Sequence, residues 1–144
     1  MLESKQKGIV TELQCITAFN ELGYHISIPY GENSRYDFIA DINGKLIRVQ
    51  VKSSSYKTDT SFNFSCRSSH TNAKGTQNIR YTSEEIDYFC TYFNGKCYLI
   101  SVNECSTEKT LHYEPPKSGQ IKGIAFAENY ELSNQIEKII GGSN

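Results

Sequence analysis

In the run RVQVK, Arg48, Gln50 and Lys52 alternate with Val49 and Val51. One face of a strand therefore carries a cation, an amide and a second cation. Asp37 lies earlier, in SRYDFIADING, and Glu12 interrupts a set of apolar residues (Ile9, Leu13, Ile16, Phe19) at helical spacing. A carboxylate on a core-facing strip is costly unless it has a partner. Two carboxylates and an amide oxygen brought together suit Mg²⁺, which takes oxygen ligands at about 2.0–2.1 Å and keeps several waters. A lysine beside such a cation can orient or deprotonate a water, or stabilise charge on a phosphate. A plainer reading of the same residues is a salt bridge between Lys52 and Asp37 on a partly solvated sheet face.

Whether these residues meet depends on the elements that carry them. Ser4 to Gly23 reads as an amphipathic helix, stopped at Gly23. YHISIP is a short strand ended by Pro29. Arg35 to Ile42 is a second strand, with Tyr36, Phe38, Ala40 and Ile42 on one face. Asn43-Gly44 is a strong two-residue hairpin signal of the type I′ kind, and Lys45 to Ser53 returns as a third strand with Ile47, Val49 and Val51 toward the core. That turn pairs 42 with 45, 40 with 47, 38 with 49 and 37 with 50. Asp37 then faces Gln50 at about 4.5–5.5 Å between Cβ atoms, with Lys52 on the same face opposite Arg35. The apolar residues of both strands share the other face, so the register is self-consistent.

Beyond this hairpin, SFNFSC reads as a strand, Arg67 to Tyr81 as a long polar loop, and TSEEID as a helix start with an N-cap and first-turn acids. YFCTYF and CYLISV form a strand pair around Asn94-Gly95, and ELSNQIEKII is a C-terminal amphipathic helix. No internal repeat or linker divides the chain, so residues 1–144 are expected to form a single domain.

The net charge is −1, but it is unevenly spread. Gly44 to Tyr81 holds seven basic residues and one acid, Asp59, leaving eight basic and fifteen acidic residues elsewhere. A segment at +6 within a remainder at −7 points to one electropositive surface. With Ser, Thr, Asn and Tyr interleaved, it has the composition of a phosphate-contacting surface, although a solvated basic loop would have the same charge. Five cysteines without a CxxC pair fit reduced thiols better than a disulfide framework or a zinc site. No stretch approaches the roughly 20 apolar residues of a membrane span, no secretory signal is visible, and a cytoplasmic location is expected. A small-molecule cofactor is not expected, since no glycine-rich phosphate loop occurs.

The order helix–strand–strand–strand–helix–strand, with Asp37 followed by Gln50-Val51-Lys52, resembles the PD-(D/E)XK nuclease core. The stretch PYGENSRYDFIADINGKLIRVQVKSSS is similar to the QVK variant found in group I intron-encoded homing endonucleases of that fold. The resemblance covers Lys5 to Ser55 well and the remainder in outline. It implies an α/β fold of order αβββαβ, with a mixed central sheet flanked by helices. It also implies that Glu12 and Asp37 are metal-binding acids, that Lys52 is the catalytic lysine, and that the Val51 carbonyl is a further ligand. Tyr36 stands where the motif has proline. Gln50 stands where an acid is usual; its carbonyl ligates a metal without adding charge, so the site depends more on Glu12 and Asp37.

The function implied is Mg²⁺-dependent, site-specific cleavage of double-stranded DNA, with Mn²⁺ able to substitute and with Glu12, Asp37, Gln50 and Lys52 as the catalytic group. DNA contacts are expected from Lys57, Arg67, Lys74 and Arg80, with Arg35 and Arg48 nearer the site. Cutting two strands with one small site per chain implies a homo-oligomer, dimer or tetramer. A Holliday-junction resolvase or restriction-type nuclease keeps the fold and changes the substrate. A catalytically inactive DNA-binding module, with Lys52 as a phosphate contact, is the rival of another class.

Overall fold

The computed structural model describes residues 3–31 and 33–142. The first helix, α1 (Ser4–Glu21), ends where Gly23 takes φ +91°, and the N–H of Gly23 caps the carbonyl of Asn20 at 2.9 Å. Strands β1 (His25–Ser27), β2 (Phe38–Ile42) and β3 (Lys45–Val51) follow. Asn43 and Gly44 both have positive φ, +53° and +95°, the type I′ geometry that matches the twist of its flanking strands. The register is Ile42↔Lys45, Ala40↔Ile47 and Phe38↔Val49, as the turn dictates.

The chain then leaves this sheet. Strands β4 (Ser55–Thr58) and β5 (Ser61–Ser65) pair with each other, and β6 (Arg67–Asn72) and β7 (Gly75–Arg80) form a two-stranded ribbon. It returns through β8 (Tyr88–Phe93) and β9 (Lys96–Ser101), joined by a second Asn-Gly turn with positive φ at Asn94 and Gly95. Strand β10 (Glu108–His112) pairs with β5, and α2 (Leu132–Ile140) closes the described chain. The central sheet has the order β1-β2-β3-β8-β9 and is antiparallel except where β8 runs parallel to β3.

Alternation along β2 and β3 decides how the layers stack. Phe38, Ala40, Ile42, Ile47 and Val49 are buried on one face beneath Phe19 of α1 and Leu132, Ile136 and Ile139 of α2. The rings of Phe19 and Phe38 meet edge-on at 5.6 Å. Phe89 and Ile100 face the other way, against Phe62, Phe64 and Leu111 of the β10-β5-β4 sheet, with Phe62 stacked on Phe93 at 4.2 Å. Both helices thus lie on one face of the mixed sheet, and a smaller sheet covers the other.

Three sequence expectations are corrected. The segment from Arg67 to Tyr81 is the β6–β7 ribbon and not a loop; its strands alternate no apolar residues, so they carry no strand signature. Thr82–Asp87 is one turn and not a helix, so the αβββαβ order is interrupted there. The capping pair is formed, with the Thr82 N–H donating to Glu85 Oε1 at 3.1 Å. Propagation stops because Ile86 is fully buried and the Asp87 N–H already donates to the Arg48 carbonyl at 2.9 Å. The third correction concerns α1, whose buried line is Thr11, Cys15 and Phe19, while Ile9 and Leu13 are 54% and 57% exposed. Thr11 satisfies its own hydroxyl on the Lys7 carbonyl at 2.8 Å, which lets a polar residue face the sheet. Cys15 meets Cys90 and Cys97 there, the three Sγ atoms lying within 4.8 Å of one another as free thiols.

The parallel junction is clamped by Arg48 and Asp87. The Arg48 backbone N–H and Nε donate to Asp87 Oδ2 at 2.8 and 3.1 Å, and Nη2 reaches Oδ1 at 3.1 Å. Burial alone would raise the Asp87 carboxyl; the hydrogen bonds and charge of Arg48 outweigh it and hold the group below the usual carboxylate range. The pair is about one-third exposed, with side chains at 31% and 35%. Asp87→Ala is therefore expected to cost about 1–2 kcal/mol. Because the folded carboxyl is depressed, this contribution is complete above the ordinary carboxylate range and vanishes as pH falls through the depressed value. Urea denaturation of both proteins at neutral and acidic pH measures the difference, which should close on acidification.

Candidate active site

Asp37 precedes β2 and continues its register: its N–H donates to the Val49 carbonyl at 2.8 Å, and its Oδ2 accepts from the Val51 N–H at 2.7 Å. The carboxylate is thereby held across the start of the hairpin, opposite Gln50. Glu12 reaches the same place from α1, where it lies beside the buried Thr11. Two contacts fix that end of the helix: Lys7 Nζ donates to the Ser54 carbonyl at 3.0 Å, and Thr11 Oγ1 lies 3.4 Å from Ser53 Oγ. Glu12, Asp37, Gln50 and Val51 together line one cleft of about 260 Å³, with Lys5, Gly8, Ile9 and Ser53 completing its walls.

The electrostatics of the cleft are those of an acid pair that resists its own ionisation. Burial, then the neighbouring Asp37 charge and hydrogen bond, push the Glu12 carboxyl up. Burial also raises Asp37, against the opposing pull of the Val51 N–H, Glu12 and Lys52. A cation relieves both carboxylates at once. The donors available are hard oxygens: two carboxylates, the Gln50 amide and the Val51 carbonyl. That set fits Mg²⁺ or Mn²⁺ and not a thiophilic ion. The contact from Gln50 Nε2 to the Val51 carbonyl is long, 3.5 Å, so the Gln50 amide is only weakly held.

Lys52 is not among the residues that line this cleft. Its backbone N–H pairs with Cys90 at 2.9 Å, while Nζ donates to the Arg67 carbonyl at 2.9 Å and stands 5.5 Å from the Tyr81 ring centre. Among the described residues it is in no ion pair with Asp37, though close enough to feel its charge. Burial lowers the Lys52 ammonium; Cys66 and Asp37 pull it back and Arg35 adds to the lowering.

The candidate DNA-contacting cations are scattered more than the sequence implied. Arg48 is spent on Asp87 and on the Glu84 and Ser83 carbonyls, at 2.6 and 2.9 Å. Arg35 pairs with Glu85 at 2.8 Å, donates to Ser68 Oγ and the Arg80 carbonyl, and lies 4.0 Å above the Tyr81 ring. Lys57 is on β4, paired with Glu108 at 3.1 Å. Arg67, Lys74 and Arg80 are on the β6–β7 ribbon, Lys74 in its turn. The sequence reading missed Lys5, whose signal was its place two helical turns before Glu12. It also missed Tyr81, Glu85 and Asp87, which carry no local signal because their partners are distant in the chain.

A family model described as PD-(D/E)XK endonuclease matches residues 2–133. No curated protein matches the sequence. Among solved structures, a bacterial homing endonuclease, I-Ssp6803I, aligns with a TM-score of 0.78 at 22% identity, over 99% of this chain and 98% of that chain.

Proposed function

The chain belongs to the PD-(D/E)XK endonuclease family and is a nuclease, and from that premise we propose that it cleaves double-stranded DNA at specific sites, with Mg²⁺, as a homing endonuclease. The observation that carries this reading is the convergence of Glu12, Asp37, Gln50 and Val51 on one cleft from a helix and two strands. Glu12 and Asp37 would hold the ion, and the Gln50 amide and Val51 carbonyl oxygens would complete the protein's share of ligands. When bound, such an ion would supply Lewis-acid activation of the scissile phosphate and of the attacking water. Lys52, partly desolvated and next to Asp37, orients or deprotonates the attacking water, or stabilises charge developing on the phosphate. The side of the cleft at Lys5 adds a further cation for the DNA backbone.

The homing assignment draws on the likeness to I-Ssp6803I and on the QVK sequence carried by β3. A site of one acid pair per chain cuts one strand at a time, so the working form is a symmetric homo-oligomer, dimer or tetramer. Its free thiols fit a cytoplasmic setting, and among the described residues no helix is long and apolar enough to cross a membrane.

Supercoiled plasmids bearing a randomised insert provide the test. Conversion to nicked and linear forms is expected in Mg²⁺ or Mn²⁺ and absent in EDTA or Ca²⁺. Sequence-selective DNA binding without cleavage in any divalent ion would make the chain an inactive binding module.

A further inference from the structure

We infer that the β6–β7 ribbon is the element that reads DNA sequence, by entering the major groove beside the cut; this rests on the endonuclease reading above. The ribbon has no structural reason of its own. Its register runs from Arg67↔Arg80 to Asn72↔Gly75, and its two strands pack chiefly on each other. Both hydrophobic clusters stop at its base: Cys66 and Tyr81 belong to one of them, and among the described residues none between Arg67 and Arg80 belongs to either. An isolated two-stranded hairpin is marginal in water, so a ribbon whose described residues add nothing to either core is explained by something it binds.

Its charge and dimensions specify that partner. From Cys66 to Tyr81 there is no Asp or Glu, while Arg67, Lys74 and Arg80 are cationic. Arg67 stands directly opposite Arg80, a like-charge pair that is unfavourable until a polyanion arrives. Strands of six residues extend about 20 Å, and the major groove, about 12 Å wide, admits a two-stranded ribbon. Residues two apart on a strand recur about every 6.8 Å, which is two steps of the roughly 3.4 Å spacing of DNA bases.

Gln77 and Ile79 are such a pair on β7, and both are exposed. A glutamine amide can pair bidentately with adenine, and an aliphatic side chain can meet the thymine methyl group. Arg67, Lys74 and Arg80 are then the phosphate contacts that hold the ribbon in the groove.

The base of the ribbon fixes where it reads. Lys52 Nζ holds the Arg67 carbonyl at 2.9 Å, and Arg35 holds Ser68 Oγ and the Arg80 carbonyl at 2.9 and 3.2 Å. The ribbon therefore starts at the candidate catalytic lysine. The bases within its span are the six or so pairs, roughly, adjoining the cut.

The test is a double selection from randomised duplex DNA, for cleavage in Mg²⁺ and for binding in Ca²⁺. It compares the parent, a Gln77→Ala/Ile79→Ser double variant, and a chain in which residues 70–77 are replaced by an Asn-Gly turn. Thermal unfolding of the shortened chain should stay close to the parent's, because none of the described residues it loses belongs to a hydrophobic cluster. The double variant is expected to lose about 10- to 100-fold of preference at one or two positions near the cut and to keep its cleavage rate on sites relaxed there. The shortened chain, which also loses the Lys74 phosphate contact, should bind more weakly but still nick DNA in Mg²⁺ at saturating protein, with a flattened profile over those positions. Unchanged profiles in both variants would overturn the proposal, as would an equal loss across all sequences in the double variant. A parent that selects sequences in Ca²⁺ but never cuts removes the nuclease reading and leaves the ribbon to be judged on binding. A parent with no sequence preference in either selection overturns both.

Discussion

Lys52→Ala lowers the single-turnover rate of strand cleavage by about 10²–10⁴-fold and changes DNA affinity in Ca²⁺ by about tenfold at most, corresponding to about 1.4 kcal/mol. The asymmetry follows from where the ammonium sits. It is withdrawn from bulk water, it lies within reach of the Asp37 charge, and it donates to the Arg67 carbonyl. An interaction that strengthens as charge builds on the phosphate, or as a water loses its proton, appears in the rate and not in ground-state binding. One phosphate contact among several would do the reverse, weakening binding with no separate loss of turnover. Both substitutions, Lys52→Ala and Lys52→Met, release the Arg67 carbonyl; Lys52→Met keeps the stem and so separates lost packing from the lost ammonium. If either variant cleaves at the parental rate once bound, Lys52 has no part in catalysis.

Glu12→Gln should abolish Mg²⁺-dependent cleavage, with a loss of at least about 10²-fold, while leaving the metal-free protein as stable as the parent or more so. Burial and the Asp37 carboxylate both act against the charge on Glu12. An amide of the same shape removes that repulsion, a gain kept below about 1 kcal/mol by solvent screening at a partly open cleft. The parent should respond to Mg²⁺ with a rise in melting temperature, since an ion bound only by the folded state stabilises it by mass action. The Gln variant should lose that rise. Calorimetry with and without Mg²⁺ therefore separates a ligand role from a structural one: a residue that merely holds the helix in place would lower the metal-free melting temperature. Retention of the Mg²⁺-induced rise in Glu12→Gln would remove Glu12 from the ligand set.

The part of this protein that its sequence determines by itself is the part set by neighbours along the chain. Asn43-Gly44 and Asn94-Gly95 adopt positive φ because those residue types accept it at low cost. A two-residue turn admits one register, so Asp37 comes to Gln50 without help from any other element. Gly23 ends α1 for the same local reason, and the alternation of Val49 and Val51 with Arg48, Gln50 and Lys52 sorts the faces of β3. What tertiary structure alone decided involves partners far apart in the chain or residues whose chemistry permits two settings. Thr11 and Cys15, not Ile9 and Leu13, face the sheet, because the rotation of a helix is chosen by what it packs on and a self-bonded hydroxyl is tolerated there. Arg48 is drawn to Asp87 by the parallel return of β8 beside β3 after a long excursion, and Lys52 reaches the Arg67 carbonyl at the base of the ribbon. The β6–β7 ribbon alternates nothing apolar, so only pairing between its own strands reveals it. Short-range turns are governed by backbone sterics and are legible in two residues; the return of β8 and the rotation of α1 are governed by burial on both faces of the sheet, which no local stretch encodes.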